Sequence, residues 1–336
     1  MGKLAFVFPG QGAQYSGMGK DFYEGFESSR LIFDTADEIL GIPLSDICFH
    51  GEDAQLAMTE ITQPAVLTVS VAILDALLER VQAPDVTAGL SLGEYAALVC
   101  SQGMDFADTV RLVQKRGKFM QEAVPAGVGT MAAVMGLSEE DVYEVCSEAS
   151  VEGIVEPSNF NCPGQTVIGG EIAAVEKACA IAKEKGAKRA VRLNVSAPFH
   201  TSMLERAAKQ LWSEIGKMEI KPMRIPVVSN TDAREIQSHQ RVAETLVKQV
   251  MSPVLWEESV RNMIADGVDT FVEIGPGKTL SGFIRKIDKG VKVYNIYDRA
   301  SYEDTVLKLE ESGYGKDSRH HWIGKRNRET DSLRAI

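Results

Sequence analysis

The chain has 336 residues, of which 44% are hydrophobic and 25% are charged, and this balance predicts a folded globular protein with a sizeable core. Its formal net charge of −11 disfavours nucleic acid as a partner, because nucleic-acid grooves carry a basic excess. The five cysteines are scattered and form no C-x-x-C pair, which predicts reduced thiols in a cytoplasmic protein and indicates no metal site.

The first predicted elements are a strand and two helical regions. The apolar run Leu4–Phe8, ended by Pro9, predicts a buried strand and is too short for a signal peptide. Residues 21–40 are expected to be helical. In the next helix Thr62 is a candidate N-cap with Pro64 in the first turn, and apolar residues recur at three- and four-residue spacing. No apolar run is expected to be long enough to cross a membrane.

A G-x-S-x-G motif, GLSLG at residues 89–93, is the strongest local signal for chemistry. The segment Val86–Ala88 predicts a short strand before it, and the residues from Glu94 onward predict a helix. A strand-turn-helix corner of this kind exposes its serine above the sheet, and the N-terminus of the following helix favours developing negative charge. Ser91 is therefore a candidate nucleophile, and a glycine-rich turn without a catalytic role is the alternative.

A serine nucleophile needs a base. The chain holds five histidines, which are His50, His200, His239, His320 and His321. His200 follows a predicted strand and lies beside Pro198, whereas the others lie in polar, surface-like or C-terminal segments. By elimination His200 is the candidate base, with a purely structural histidine as an equal alternative. The backbone amide of Leu92 and the loop FPGQGAQ are candidates for stabilising an oxyanion.

Two glycine-rich segments fail as phosphate-binding motifs. FPGQGAQ would need a glycine where Tyr15 stands to match a dinucleotide motif, and it lacks the Lys-Ser/Thr of a P-loop. IGPGKT resembles the end of a P-loop, but Val272 occupies the position of the required earlier glycine. Neither segment predicts a nucleotide phosphate site.

The order of predicted elements changes in the middle of the chain. Residues 126–194 read as strand, helix, two strands, helix and strand, which is the order of a ferredoxin-like subdomain. The flanking segments, 1–125 and 195–312, alternate strands with helices and predict one discontinuous α/β domain with a mostly parallel sheet. Residues 313–336 predict a basic, mobile tail. Trp322 in this tail is a candidate for a contact with the body of the protein.

Seven segments in this order resemble one family: FPGQGAQ, TQPA, GLSLGEYAAL, VQKRGKFMQEA, NFNCPGQTVIGG, SAPFHTSML and EIGPGKTLSG. Together they are similar to the malonyl-CoA:acyl carrier protein transacylases of type II fatty acid synthesis, and to the acyltransferase domains of polyketide and large fatty acid synthases. The resemblance runs from about Leu4 to Tyr297. It implies an α/β-hydrolase-like domain with a ferredoxin-like insert, and it implies neither a cofactor nor a metal.

The resemblance also implies a reaction. Ser91 would be the nucleophile and His200 its base, and the histidine would be oriented by the backbone carbonyl of Gln249 rather than by a carboxylate. Ser91 would take the malonyl group from malonyl-CoA and pass it to the pantetheine thiol of acyl carrier protein. The cell would use the product in fatty acid or polyketide synthesis.

Three further residues have implied roles. Gln11 and Leu92 would supply amides to the oxyanion hole, and Arg116 would bind the free carboxylate of the malonyl group. A planar guanidinium suits that carboxylate, because it donates two parallel hydrogen bonds. From the residues alone, an exposed helix charge is the favoured interpretation of Arg116, because Arg111 and Lys115 lie close by.

Two positions bear on activity and selectivity. The family usually has a histidine before the nucleophile, but this chain has Leu90, which leaves His200 as the candidate base. Phe199 precedes that histidine. The resemblance implies that a bulky residue there favours malonyl over methylmalonyl, because an aromatic ring leaves little room for an α-methyl group.

Three alternative functions differ from the acyltransferase in the residues that they need. A lipase-like hydrolase would need a carboxylate beside His200, a proofreading acyl-thioester hydrolase typically lacks an arginine such as Arg116, and a non-catalytic scaffold would need none of the site residues. The expected partners are malonyl-CoA and phosphopantetheinylated acyl carrier protein, with no nucleic acid and no membrane, and a monomer is expected. Because acyl carrier protein is acidic, it needs a basic docking patch, and the clusters at 183–189 and 285–289 are both candidates.

Overall fold

Two five-stranded sheets organise the described part of the computed structural model, residues 2–125, 127–193, 195 and 197–316. The strands are β1 (Lys3–Phe8), β2 (Val86–Gly89), β3 (Gly129–Met135), β4 (Val155–Cys162), β5 (Gln165–Glu171), β6 (Arg189–Arg192), β7 (Val227–Val228), β8 (Val254–Leu255), β9 (Val268–Ile274) and β10 (Lys292–Ile296). The first sheet has the order β10-β9-β1-β2-β7 with parallel pairing throughout. The mixed α/β fold with a mostly parallel sheet is therefore confirmed.

Helices pack against both sheets. They are α1 (Lys20–Gly25), α2 (Glu27–Leu40), α3 (Leu44–His50), α4 (Asp53–Leu56), α5 (Thr59–Arg80), α6 (Gly93–Cys100), α7 (Phe106–Ala123), α8 (Glu139–Ala149), α9 (Ile172–Glu184), α10 (Glu205–Ile215), α11 (Val242–Val250), α12 (Trp256–Ala265), α13 (Thr279–Ile287) and α14 (Arg299–Glu311). The predicted helix over 21–40 is divided in two at Phe26, whose backbone is extended. Helix α8 begins at a capping box in which Ser138 and Asp141 satisfy each other's backbone N–H groups.

Strand β1 lies at the centre of the first sheet and is covered on both faces. Leu4 and Phe6 pack into the core that also contains the residues of α5, whereas Ala5 and Val7 pack into a second core with residues of α12 and α13. Successive side chains of a strand point to opposite faces, so a strand buried on both faces needs an uninterrupted apolar run. This explains why the sequence of β1 shows no alternation of polar and apolar residues.

Helix α5 differs from its prediction in two ways. It begins at Thr59, so Pro64 lies inside the helix, and Thr62 is not the N-cap because its hydroxyl donates to the carbonyls of Leu56 and Met58. By length and composition it is apolar enough to cross a membrane, so the expectation that no such run exists is wrong. However, 89% of its apolar window is buried inside the protein, as expected for a core helix.

The second sheet has the order β6-β3-β5-β4-β8. Its first four strands pair antiparallel, and α8 and α9 cover one face, where Val145, Ile168 and Ala178 share a core. Strand β8 pairs parallel with β4 and comes from the segment between α11 and α12. The sequence pattern did not predict β8, which spans only Val254–Leu255. The pairing of β8 with β4 connects the second sheet to the chain segment that follows β7 of the first sheet.

The first residues of the predicted tail are packed on the body of the protein. Tyr314 is buried, and its hydroxyl donates to the carbonyl of Gly2. Gly315 forms an antiparallel bridge with Val81 at the end of α5. The rest of the tail, residues 317–336 with Trp322, lies outside the described residues.

Candidate active site

Ser91 lies at the corner between β2 and α6, where the backbone folds back tightly. Its φ of +54° is in the left-handed region, which is unfavourable for a residue with a side chain. A Cβ on Gly89 would overlap the backbone of Gly93, and a Cβ on Gly93 would overlap the carbonyl oxygen of Phe8. The two glycines of the motif are therefore needed for close backbone approach, and the strain is carried by the serine between them.

Ser91 and His200 meet although 109 positions separate them in the sequence. The Nε2 atom of His200 lies 2.7 Å from Ser91 Oγ, and Nδ1 lies 2.7 Å from the backbone carbonyl oxygen of Gln249. A proton on Nδ1 can donate to that carbonyl, which leaves Nε2 as the acceptor for the serine hydroxyl. Burial, and then the positive charge of Arg116, lower the pKa of His200 to about 4. The imidazole is therefore neutral at neutral pH and able to accept a proton.

Arg116 projects from α7 into the same site and is only 1% exposed. Its Nη1 donates to Gln63 Oε1 at 2.8 Å, and its Nη2 donates to Gln249 Oε1 at 2.9 Å and to Ser91 Oγ at 3.2 Å. The guanidinium carbon lies 5.2 Å from the centre of the Tyr95 ring. Burial lowers the pKa of Arg116, but a guanidinium remains charged in proteins. The interpretation of Arg116 as an exposed helix charge is wrong.

Behind Ser91 lies a buried network of polar side chains. Asn230 Oδ1 accepts from the amide of Ser91 at 2.6 Å, and its Nδ2 donates to the carbonyl of Gly89 at 2.7 Å. Glu94 Oε2 accepts from Gln249 Nε2 at 2.7 Å and from the backbone amide of Asn230 at 3.1 Å. Burial raises the pKa of Glu94 to about 7. These contacts hold both sides of the strained corner.

A cavity of about 610 Å³ opens in front of Ser91. Gln11, Leu90, Phe199 and His200 line it together with Ser91. The loop FPGQGAQ therefore faces this cavity. Leu92 is buried at the N-cap of α6, directly after the serine.

The sequence profile of the acyl transferase domain family matches residues 5–302. The chain belongs to this family. It is 45% identical over 312 residues to the malonyl CoA-acyl carrier protein transacylase of Bacillus subtilis (strain 168), a match that covers 93% of this chain and 98% of the relative.

Solved structures agree with this assignment. The crystal structure of malonyl CoA-acyl carrier protein transacylase from Clostridium perfringens is 48% identical, with a TM-score of 0.89 and coverage of 93% of this chain and 98% of that chain. A second match comes from the structure of a type II polyketide synthase acyl-carrier protein in complex with its malonyl-transacylase. The matched chain is 41% identical, with a TM-score of 0.89, and the match covers 91% of this chain and 99% of that chain.

Sequence reasoning missed three polar residues of this acyltransferase that contact the site: Gln63, Glu94 and Asn230. Glu94 left one local signal, since it is the charged residue of the otherwise apolar helix segment GEYAALVC. Gln63 lies in the quoted TQPA segment, and Asn230 lies two residues after β7, but neither position indicates where its polar side chain points.

The other candidate groups of the acyltransferase lie away from Ser91. His50 is exposed and contacts Asp46 at 2.8 Å, and His239 lies in a short turn before α11. The five cysteines are free, and four of them are buried. Within the described ranges, no group of three or more His, Cys, Asp or Glu side chains is placed to hold a metal ion.

Proposed function

We propose that the chain transfers the malonyl group from malonyl-CoA to the pantetheine thiol of acyl carrier protein through a malonyl ester of Ser91. One observation carries the proposal: Ser91 Oγ is in hydrogen-bond contact with both the neutral base His200 and the buried cation Arg116. This pairing provides a nucleophile next to a binding group for a substrate carboxylate. The names of the relatives support the same reaction.

In the first step, Ser91 Oγ attacks the thioester carbonyl while its proton passes to Nε2 of His200. The backbone carbonyl of Gln249 stabilises the imidazolium that forms, in the place a carboxylate takes in many hydrolases. Backbone amides of Gln11 and Leu92 hold the oxyanion. The tetrahedral intermediate then breaks its C–S bond, and CoA leaves as a thiol after taking the proton from His200.

The second step reverses this chemistry with another thiol. The pantetheine thiol of acyl carrier protein gives its proton to His200 and attacks the malonyl ester of Ser91. The C–O bond breaks, the proton returns to the serine, and malonyl-acyl carrier protein leaves. Because His200 serves as base and acid in both steps, the exchange needs no second proton-transfer group.

Arg116 selects the substrate in this proposal. One N–H of Nη2 donates to Ser91 Oγ. When a substrate carboxylate binds, this N–H can donate to the carboxylate instead, together with an N–H of Nη1. An acyl group without a carboxylate would leave the buried cation without an anionic partner. Phe199, which lines the same cavity, restricts the space for an α-methyl group and thereby favours malonyl over methylmalonyl.

Two observations disfavour a lipase-like or proofreading hydrolase. A lipase-like enzyme would place a carboxylate on Nδ1 of His200, whereas that atom contacts a backbone carbonyl 2.7 Å away. A hydrolase of either kind has no use for a buried arginine beside the nucleophile, and Arg116 donates to Ser91 Oγ.

We also propose a division of the chain into an α/β-hydrolase-like domain, residues 1–125 and 195–312, and a ferredoxin-like subdomain, residues 126–194. The strand order β6-β3-β5-β4 and the intervening helices α8 and α9 support the second assignment. The parallel first sheet, with Ser91 after β2, supports the first assignment.

Acyl carrier protein docks, in this proposal, at the C-terminal end of α13. Arg285 and Lys286 lie in the last turn of this helix, whose first residues line the cavity. In the other basic cluster, Lys185 is paired with Glu144 and Glu148. The cluster on α13 is therefore the better match to an acidic partner that delivers its pantetheine arm to Ser91.

We further infer that the enzyme is a cytoplasmic monomer that binds neither nucleic acid nor a membrane. The net charge of −11 supports the first exclusion, and the burial of α5 supports the second. Size-exclusion chromatography with light scattering tests the monomer directly.

A chase experiment tests the transfer itself. The enzyme is acylated with radiolabelled malonyl-CoA, freed of nucleotide, and mixed with acyl carrier protein that carries pantetheine or lacks it. The proposal predicts rapid movement of label to the pantetheine form only. Release of free malonate at the same rate with both forms would identify a hydrolase instead.

A further inference from the structure

We propose that Glu94 is a positioning residue for malonyl transfer, because its buried carboxyl group fixes the side-chain amide of Gln249 and thereby the guanidinium of Arg116. The proposal rests on the proposed function, in which Arg116 binds the substrate carboxylate. It gives the side chain of Gln249 a role that is separate from that of its backbone carbonyl.

The amide of Gln249 has chemically different partners at its two ends. Its Oε1 accepts from Arg116 Nη2 at 2.9 Å, and a guanidinium has only donors. Its Nε2 donates to Glu94 Oε2 at 2.7 Å and to the carbonyl of Ser91 at 3.0 Å. A flipped amide would bring Oε1 against two acceptors and NH₂ against a donor. The carboxyl group and the guanidinium thus specify one orientation of the amide between them.

Glu94 does not have the environment of a residue kept for stability. It is fully buried, and its Oε1 atom has no hydrogen-bond partner among the described residues. Glu273 is also fully buried, but both of its oxygens accept backbone amides, those of Leu280 and Ser281, at the start of α13. A buried carboxyl oxygen without a partner costs stability. A role in the site accounts for its presence.

Loss of the Glu94 carboxyl group should mainly affect acyl groups whose carboxylate binds Arg116. Without the carboxyl group at position 94, Gln249 Nε2 loses its shortest hydrogen bond and retains the one to the carbonyl of Ser91 at 3.0 Å. The amide is then held less firmly, and so is the acceptor that it offers to Arg116 Nη2. A malonyl group would then be oriented less well against Ser91. An acetyl group makes no use of the guanidinium, so its transfer depends much less on Glu94.

The experiment compares Glu94→Ala, Glu94→Gln and the matched control Glu273→Gln with the unchanged enzyme. Single-turnover acylation of Ser91 is measured with malonyl-CoA and with acetyl-CoA. For Glu94→Ala we expect a loss of about 30-fold with malonyl-CoA and under about 5-fold with acetyl-CoA. Glu94→Gln retains an acceptor oxygen for Gln249 and Asn230, so we expect rates within about 3-fold of the unchanged enzyme. Glu273→Gln should lower the melting temperature and leave the malonyl-to-acetyl ratio unchanged.

Two results would overturn the proposal. One is an unchanged malonyl-to-acetyl ratio in Glu94→Ala, which would give the residue a purely structural role. The other is a loss in Glu94→Gln as large as in Glu94→Ala, which would make charge rather than hydrogen bonding the important property. If Glu94→Ala does not fold, Gln249→Met removes the amide and keeps the backbone carbonyl for His200, and an unchanged ratio there would also refute the idea.

The failure of the proposed function has a different signature. In that case the unchanged enzyme itself forms no malonyl-Ser91 adduct, and no ratio can be measured. A positive adduct in the unchanged enzyme with an unaltered ratio in the variants refutes only the role of Glu94.

Discussion

Two regions around Ser91, a polar side and an apolar side, differ in the interactions that shape them. The polar side is the buried network of Gln63, Glu94, Arg116, Asn230 and Gln249, of which Gln63 and Arg116 line the cavity. The apolar side consists of Met120, Met131, Val167, Leu193, Phe199 and Phe283. Hydrogen bonds on the polar side are directional and costly to leave unmade, whereas apolar contacts depend mainly on volume. Substitutions on the polar side should therefore abolish or redirect the reaction, and those on the apolar side should change which acyl group fits.

The largest effect is expected for His200→Ala. The variant lacks the acceptor for the Ser91 proton, so acylation by malonyl-CoA should fall by about 10⁴-fold in a single-turnover assay. Circular dichroism serves as the control for folding. Acylation within about tenfold of the unchanged enzyme would contradict the assignment of the base.

Arg116→Met should have the next largest effect. It removes the charge that we propose binds the malonyl carboxylate, so kcat/KM for malonyl-CoA should fall about 10²-fold or more, while acylation by acetyl-CoA is retained. Lys115→Met is the matched control, because this neighbouring residue on α7 faces outward and pairs with Glu214. Equal losses with malonyl-CoA and acetyl-CoA would contradict a role of Arg116 in selecting the acyl group.

On the apolar side, Phe199→Ala should relax selectivity. The smaller side chain leaves room for an α-methyl group, so the ratio of kcat/KM for methylmalonyl-CoA to that for malonyl-CoA should rise about tenfold. Met131→Ala enlarges the same cavity at another point and controls for volume. A ratio that rises equally in both variants would mean that no special position belongs to Phe199.

The smallest effect concerns pH. Because the pKa of His200 is lowered to about 4, its base form should persist, and acylation by acetyl-CoA should fall only as the pH approaches that value. The positive charge of Arg116 is one cause of the lowered pKa, so the acid limb should move to higher pH in Arg116→Met. Glu94→Gln removes the buried carboxyl group of the network behind Ser91. In this variant the acid limb of the pH profile should stay at low pH. A limb near the ordinary histidine value of about 6.5 in the unchanged enzyme would contradict this environment.

The same lowered pKa affects stability. The folded protein resists protonation of His200, while the unfolded chain takes up a proton at the ordinary value of about 6.5. The neutral histidine therefore contributes stability above that pH, and this contribution is lost progressively as the pH falls toward about 4. Activity at low pH must be compared with a measured folded fraction.

Elements with strong local patterns were predictable from the sequence. The uninterrupted apolar run of β1 and the order of elements from β3 to β6 needed no tertiary information. Strand β8 has two residues, which is too short for a periodic pattern. The start of α5 was misplaced because Thr62 and Pro64 match an N-terminal signal, whereas tertiary packing extends the helix back to Thr59.

The candidate active site also contains some residues that local sequence predicts and others that it does not. Ser91 was predictable from its own corner, because the flanking glycines and the following helix are local features. His200, Arg116 and Gln249 come from separate parts of the chain. Elimination among the histidines pointed to His200, whereas only the resemblance to a family linked Arg116 and Gln249 to the serine. Glu94 was missed because a glutamate in the first turn of a helix ordinarily faces water. Its inward direction depends on partners more than 130 positions away.

The most direct test of the account is the intact mass of the protein after brief incubation with malonyl-CoA, followed by peptide mapping. We predict one malonyl adduct, located on Ser91, that is absent from Ser91→Ala and disappears when acyl carrier protein bearing pantetheine is added. Release of CoA without any adduct, or an adduct that persists in Ser91→Ala, would contradict the role of this serine as the malonyl carrier.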